Sequence, residues 1–226
     1  MSILIQEILI IILLITLLSL SCLSLYVNYR LRQAELLGNS LNASGVELLT
    51  ALLEKRNLNI TVRALIKYEQ EGYYHNTIVM SWEHLYNPNL AAVMLLCWYL
   101  AIAELKYKRS IILACREILI SITKLLIPVG IIMFIVGWVS YIYIIFISGL
   151  IILYLSLIFT FFIIICGLEI VARSRLLIET IDLEDAEINR LKRLTQLKNL
   201  ASISVLYSFI VSGLIFLGLN IAKTNT

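Results

Sequence analysis

Charge is scarce in this sequence. Only 15% of its 226 residues are Asp, Glu, Lys or Arg, against 61% hydrophobic, whereas soluble domains carry about a quarter charged. With a mean hydropathy of +0.94, this excludes an ordinary water-soluble domain and makes a bilayer the main solvent. Histidine is scarcer still. The two histidines, His75 and His84, do not have the spacing of a helix-borne ligand pair, and isolated loop histidines are ordinary surface residues. The four cysteines, Cys22, Cys97, Cys115 and Cys166, lie scattered without paired spacing. That excludes a zinc knuckle or a disulfide framework and predicts buried free thiols. The chain has no phosphate-cradling glycine loop, Ser-His-Asp set, paired acid and base, or nucleic-acid module. Ionisable groups inside its apolar runs are few, which argues against transport by this chain alone.

Long apolar runs are what the sequence does have. A span needs roughly 20 apolar helical residues, and four candidates follow. The first, Ile8 to Val27, has no charge between Glu7 and Arg30; it lacks a basic leader, so it reads as an uncleaved anchor, not a signal peptide. The block Leu125 to Leu168 is too long for one span and folds into a hairpin, with Trp138, Val139, Ser140 and Tyr141 as the turn. Pro128 and Gly130 lie near the start of its first arm, where a kink is tolerated. Ala201 to Ile221 is the fourth, with Ser204, Ser208, Ser212 and Gly213 as ordinary small residues for helix packing. Lys and Arg set the orientation: apart from Lys223, all fall on one side of this arrangement, the cytoplasmic side, with both termini outside.

The segment between the first two spans carries local signals. Ser44-Gly45-Val46-Glu47 has the form of a capping box, predicting a helix of about three turns with Leu48, Leu49, Leu52 and Leu53 on its apolar face and Asn57 as its stop. Arg63 to Tyr68 and Thr77 to Trp82 read as two strands of a hairpin, joined by Glu69 to Asn76. After Pro88, Leu90 to Leu105 form an apolar helix, short for a span and suited to a buried or half-embedded position. Cys97, Ala101 and Glu104 share one of its faces. A thiol and a carboxylate with no histidine nearby in sequence read as packing and solubility.

The order of these parts resembles the YugP-type membrane zinc metallopeptidases over nearly the whole chain. The resemblance rests on Ser44 to Leu58, on Thr77 to Val93 with Ser81, Tyr86, Ala91 and Ala92, and on Glu169, Ala172 and Arg175, which fit the family's Glu-Phe-Asn-Ala-Ser-x-Arg pattern. It implies a His-Glu-x-x-His turn on the central helix, where two histidines hold zinc and a glutamate activates its water. That turn falls on Trp98-Tyr99-Leu100-Ala101-Ile102, which offers neither a zinc ligand nor a general base. The resemblance places Glu169 at the family's third zinc ligand, at the cytoplasmic end of the third span. Without histidine partners it reads either as an ion pair, with Arg173, Arg116 or Lys124 in reach, or as a remnant of the site.

Glu179 to Lys198 is acidic in its first half and basic in its second, suiting a helix dipole and a membrane-side anchor or a docking surface. The expected protein is a mainly α, polytopic membrane protein of about four spans with a small cytoplasmic α+β insert. Residues 1–29 form the anchor, 30–117 a degenerate peptidase-like region, and 118–226 the hairpin, charged helix and last span. Its expected role is that of an inactive homologue of a membrane zinc metallopeptidase, without zinc or other cofactor, in a bacterial-type inner membrane. There it binds, scaffolds or regulates a membrane-protein partner. The rival is an active metallopeptidase or other hydrolase with a displaced site.

Overall fold

The computed structural model describes residues 3–56, 59–66 and 71–201, excluding the side chains of 3–14, 17, 20, 21 and 24. Among these the chain is mostly helical: α1 (Ile3–Glu35), α2 (Gly45–Arg56), α3 (Trp82–Tyr86), α4 (Leu90–Tyr107), α5 (Ile111–Val139), α6 (Tyr143–Ile178) and α7 (residues 185–201), with three short strands, β1 (Thr61–Ala64), β2 (Gly72–Tyr74) and β3 (Thr77–Met80). The helices α4, α5 and α6 are long and apolar enough to cross a membrane, which is compatible with an integral membrane protein. The expected first span lies within α1. The expected fourth, Ala201 to Ile221, falls outside the described residues beyond its first position, as does the expected helix stop at Asn57.

The chain divides into two compact units. In the first, residues 115–165 supply the α5–α6 hairpin. Its turn, 140–142, overlaps the one expected at 138–141, with Trp138 and Val139 closing α5, α6 starting at Tyr143, and Tyr141 taking a left-handed φ of 54°. Pro128 lies inside α5 without ending it. The two helices meet closely at Gly149, where a Cβ would fall on the Phe134 backbone nitrogen. Ile127, Leu150, Leu153 and Ile163 make the seam, while Leu125, Val129, Ile132, Ile158 and Phe161 are exposed. Apolar side chains turned outward along whole helices are what a lipid solvent requires. At the turn, Phe134, Trp138, Tyr141, Tyr143 and Phe146 line an aromatic cup of about 370 Å³, in keeping with the interfacial preference of such rings.

The second unit comprises 28–114 and 166–199 and has a core built around α4. Leu49 and Leu52 of α2, Ile78 and Met80 of β3, Leu85 of α3, Ile170 and Leu177 of α6 and Leu191 of α7 all pack into it. Every residue of α4 from Leu90 to Ala101 is buried, as expected of a buried helix. The capping box forms as predicted: Ser44 N–H donates to Glu47 Oε2 at 2.8 Å and Glu47 N–H to Ser44 Oγ at 3.3 Å. Donation from the Ser44 amide and hydroxyl to Oε2 holds the Glu47 carboxyl below its usual range.

Two expectations need correction. The sheet has three strands in the order β1-β3-β2, and the expected hairpin of 63–68 with 77–82 does not form. The arm before β3 is Gly72–Tyr74, paired antiparallel, while β1 lies parallel to β3 in the register Thr61↔Thr77. The reason is local: His75 and Asn76 both adopt positive φ, 44° and 61°, the two-residue turn whose twist matches paired strands. Trp82 leaves the strand because Ser81 caps α3, accepting from the His84 amide. The thiols are also less uniform than expected. Cys97 is buried, Cys166 half-buried, and Cys22 and Cys115 sit on exposed helix faces, a consequence of helices that present apolar residues outward.

Candidate functional site

The turn expected to carry the lost zinc motif sits in the middle of α4. Trp98, Tyr99, Leu100 and Ala101 are buried in the core and Ile102 packs against it. One half-turn further on, Glu104 is 5% exposed. A buried carboxylate needs a partner, and Arg173 of α6 supplies one, its Nε donating to Glu104 Oε2. Arg56, at the end of α2, brings its Nε to 3.9 Å from Glu104 Oε1. Glu104 therefore ties α2, α4 and α6 together. Arg173, expected as a helical partner for Glu169, turns to Glu104 instead, because a buried carboxylate across the core gains more from a cation than a neighbour on the same helix does.

Glu169 is held by a helix cap. The chain leaves α4 through Arg109 in the left-handed region, φ 52°, with Arg109 N–H donating to the Lys106 carbonyl at 2.9 Å and Ser110 N–H to that of Leu105 at 3.0 Å. This is a Schellman ending with arginine where glycine is usual. It delivers Ser110 to the start of α5, where its Oγ accepts from Leu113 N–H at 3.3 Å and donates to Glu169 Oε2 at 2.7 Å. A carboxylate beside a helix start is favoured by the unpaired amides and dipole there. Glu169 thus meets a hydroxyl past the end of α4. Arg116 and Lys124 belong to the first unit, Arg116 buried and Lys124 exposed.

A second polar cluster went unforeseen in the sequence. His84 of α3 places Nδ1 2.6 Å from Glu71 Oε1 and 2.8 Å from Ser81 Oγ, and Ser81 N–H donates to Glu71 Oε1 at 2.6 Å. On the other side of the ring, Nε2 lies 3.8 Å from Glu35 Oε1 at the end of α1. Burial pushes the Glu71 carboxyl up, but the bonds from His84 and Ser81 outweigh it and lower its pKa to about 2. Burial depresses His84, and its bond to Glu71 with the charges of Glu71 and Glu35 more than reverses that, leaving its pKa raised. Burial lowers the pKa of Lys198 on α7, against the pull of Glu71. A serine beside a histidine invites a nucleophile reading. Here Glu71 and Ser81 share one ring nitrogen, so Nδ1 is not free to serve Ser81 alone as a general base. The only cue in the sequence was the spacing of Ser81 and His84; Glu71 and Glu35 arrive from other elements.

In the charged segment, Lys192 Nζ pairs with Glu179 Oε1 at 2.6 Å. Glu187, in the first turn of α7, accepts from Ser40 N–H at 2.9 Å. Glu179 and Asp182 precede the helix, so of the acidic half only Glu184 at its N-terminal cap and Asp185 and Glu187 in its first turn meet its dipole. His75 occupies the β2–β3 turn, as expected. Among the described residues, no group of three or more His, Cys, Asp or Glu side chains is placed to hold a metal ion. No family model, curated protein or solved structure matches this chain.

Proposed function

We propose that this chain is a non-catalytic relative of the YugP-type membrane zinc metallopeptidases, serving as a binding, scaffold or regulatory subunit for membrane proteins. Four spans anchor it, with the charged segments cytoplasmic and both termini outside, in an inner membrane or its equivalent. The observation that carries this reading is the 98–102 turn: an indole, a phenol and three aliphatic side chains fill the core where zinc chemistry needs two imidazoles and a carboxylate. Its neighbours fit the same reading. Glu104 and Arg173 neutralise each other, and Glu169 is engaged with Ser110, so the polar groups around α4 serve to join elements. A scaffold freed from catalysis keeps such ties and has no use for a water-filled cleft.

The rival reading, a hydrolase with a displaced site, draws on the contact of Ser81 with His84. One assay separates the two. Detergent-purified protein supplied with zinc is incubated with unfolded protein and peptide substrates, beside Ser81→Ala and His84→Gln variants. The scaffold reading expects no cleavage above background from any of them. Cleavage by the wild type that is lost on chelation or in either variant overturns it.

A further inference from the structure

His84 has a carboxylate at each end of its ring. Glu71, from the residue before β2, sits at Nδ1, and Glu35, from the last turn of α1, faces Nε2 at 3.8 Å. The protonated imidazole offers positive charge to both carboxylates, whereas the neutral ring that donates from Nδ1 to Glu71 turns the lone pair of Nε2 toward Glu35. The charge count agrees. Glu35 and Glu71 bring two negative charges and Lys198 from α7 one positive charge, so the neutral ring leaves the cluster negative and the imidazolium balances it. Tyr99 of α4, which faces Glu71, is an uncharged phenol. On losing its proton, His84 keeps the shorter bond to Glu71, whose Oε1 also accepts from Ser81 N–H, and gives up Glu35.

We infer that His84 is a proton-operated latch that fastens the last turn of α1 to α3 when the ring is charged and releases it when the ring is neutral. The latch does not depend on the peptidase relationship, since none of its residues belongs to the lost motif or to the Glu169 cap. It acts on the last turn of α1, within the second unit. It also bears on α2, because Gly45 at its start sits so close to the His84 carbonyl that a Cβ would fall on it.

The sign follows from linkage. His84 is raised above its ordinary value, so its contribution is whole below about 6.5 and disappears as pH climbs through the raised value. Glu71 is lowered to about 2, so its share is whole above about 4.3 and disappears only as pH falls toward that value. The latch is therefore fully fastened in mildly acidic conditions and opens on the alkaline side.

Hydrogen exchange on the full-length protein in detergent tests this, comparing peptides that cover residues 33–37 and 82–87 at pH 6 and pH 9, corrected for intrinsic rates. The protection of the wild type at the end of α1 should fall about threefold between the two, the size expected of one partly exposed ion pair. His84→Gln should remove the step. Glu35→Gln, an exposed and conservative change, should remove it at 33–37 while leaving the fold intact, so the test survives if the histidine variant fails to fold. Wild-type protection that does not change with pH overturns the latch, as does a Glu35→Gln profile with the wild-type step.

Discussion

The two units differ in how they use polar groups. In the first, buried hydroxyls turn back on their own helix: Thr123 donates to the Leu119 carbonyl at 2.7 Å, Ser156 to that of Leu153 at 2.7 Å, and Thr160 to that of Ser156 at 2.8 Å. In the second, buried hydroxyls such as those of Ser174 and Thr195 do the same, but ionisable side chains add bonds that cross between elements, as from Arg173 to Glu104, Ser110 to Glu169, and His84 to Glu71. A helix in lipid must satisfy its polar atoms within itself, because no water waits outside. A unit with a closed core can use polar groups as ties, since each tie is shielded and specific to one neighbour. The same contrast separates α4 from α5 and α6. All three are apolar enough to span, yet α4 is wrapped by protein while the other two present Leu, Ile, Val and Phe outward.

If that contrast is real, equivalent mutations should have unequal effects, measured as unfolding in detergent. The largest loss is expected in the α4 core: Leu100→Ala, at a site with no exposure, should cost about 2–5 kcal/mol. Ile158→Ala on the outer face of α6 should stay within about 0.5 kcal/mol. Equal losses would break the comparison. Next is Glu104→Ala, which strands Arg173; because the guanidinium keeps a quarter of its exposure, the cost should be about 3 kcal/mol, the low end for a buried pair. Ser110→Ala removes a bond to a charged acceptor and a helix cap together and should cost about 2 kcal/mol. The smallest effect is expected in the first unit. Thr123→Val deletes only a bond to its own helix and should change stability by less than about 1 kcal/mol.

How much of this the sequence revealed depended on the reach of each interaction. A hairpin turn overlapping 138–141, the capping box at Ser44 and Glu47, and the central helix after Pro88 were all legible, because each is decided within a few residues by hydropathy or by side-chain bonds to nearby amides. The parallel pairing of β1 with β3 was not, since register between strands is set by packing from both sides of a loop. Nor were the ties. Glu104 and Arg173 are 69 positions apart, and Ser110 and Glu169 are 59 apart. A charge pattern along one helix pointed Arg173 toward Glu169, and a buried carboxylate across the core won instead. Ser110 could have been noticed as a small polar residue between a basic turn and an apolar run, the ordinary place for a cap. The partners of His84 had no such cue, because three separate elements bring them together.

The central claim is that the scaffold of a zinc peptidase persists here without its metal. Elemental analysis of the detergent-purified protein, wild type beside Glu169→Ala, tests it most directly. The account predicts less than about a tenth of an equivalent of zinc in both. Near-stoichiometric zinc in the wild type that disappears in the variant would contradict it, placing a working metal site where the core of α4 now stands.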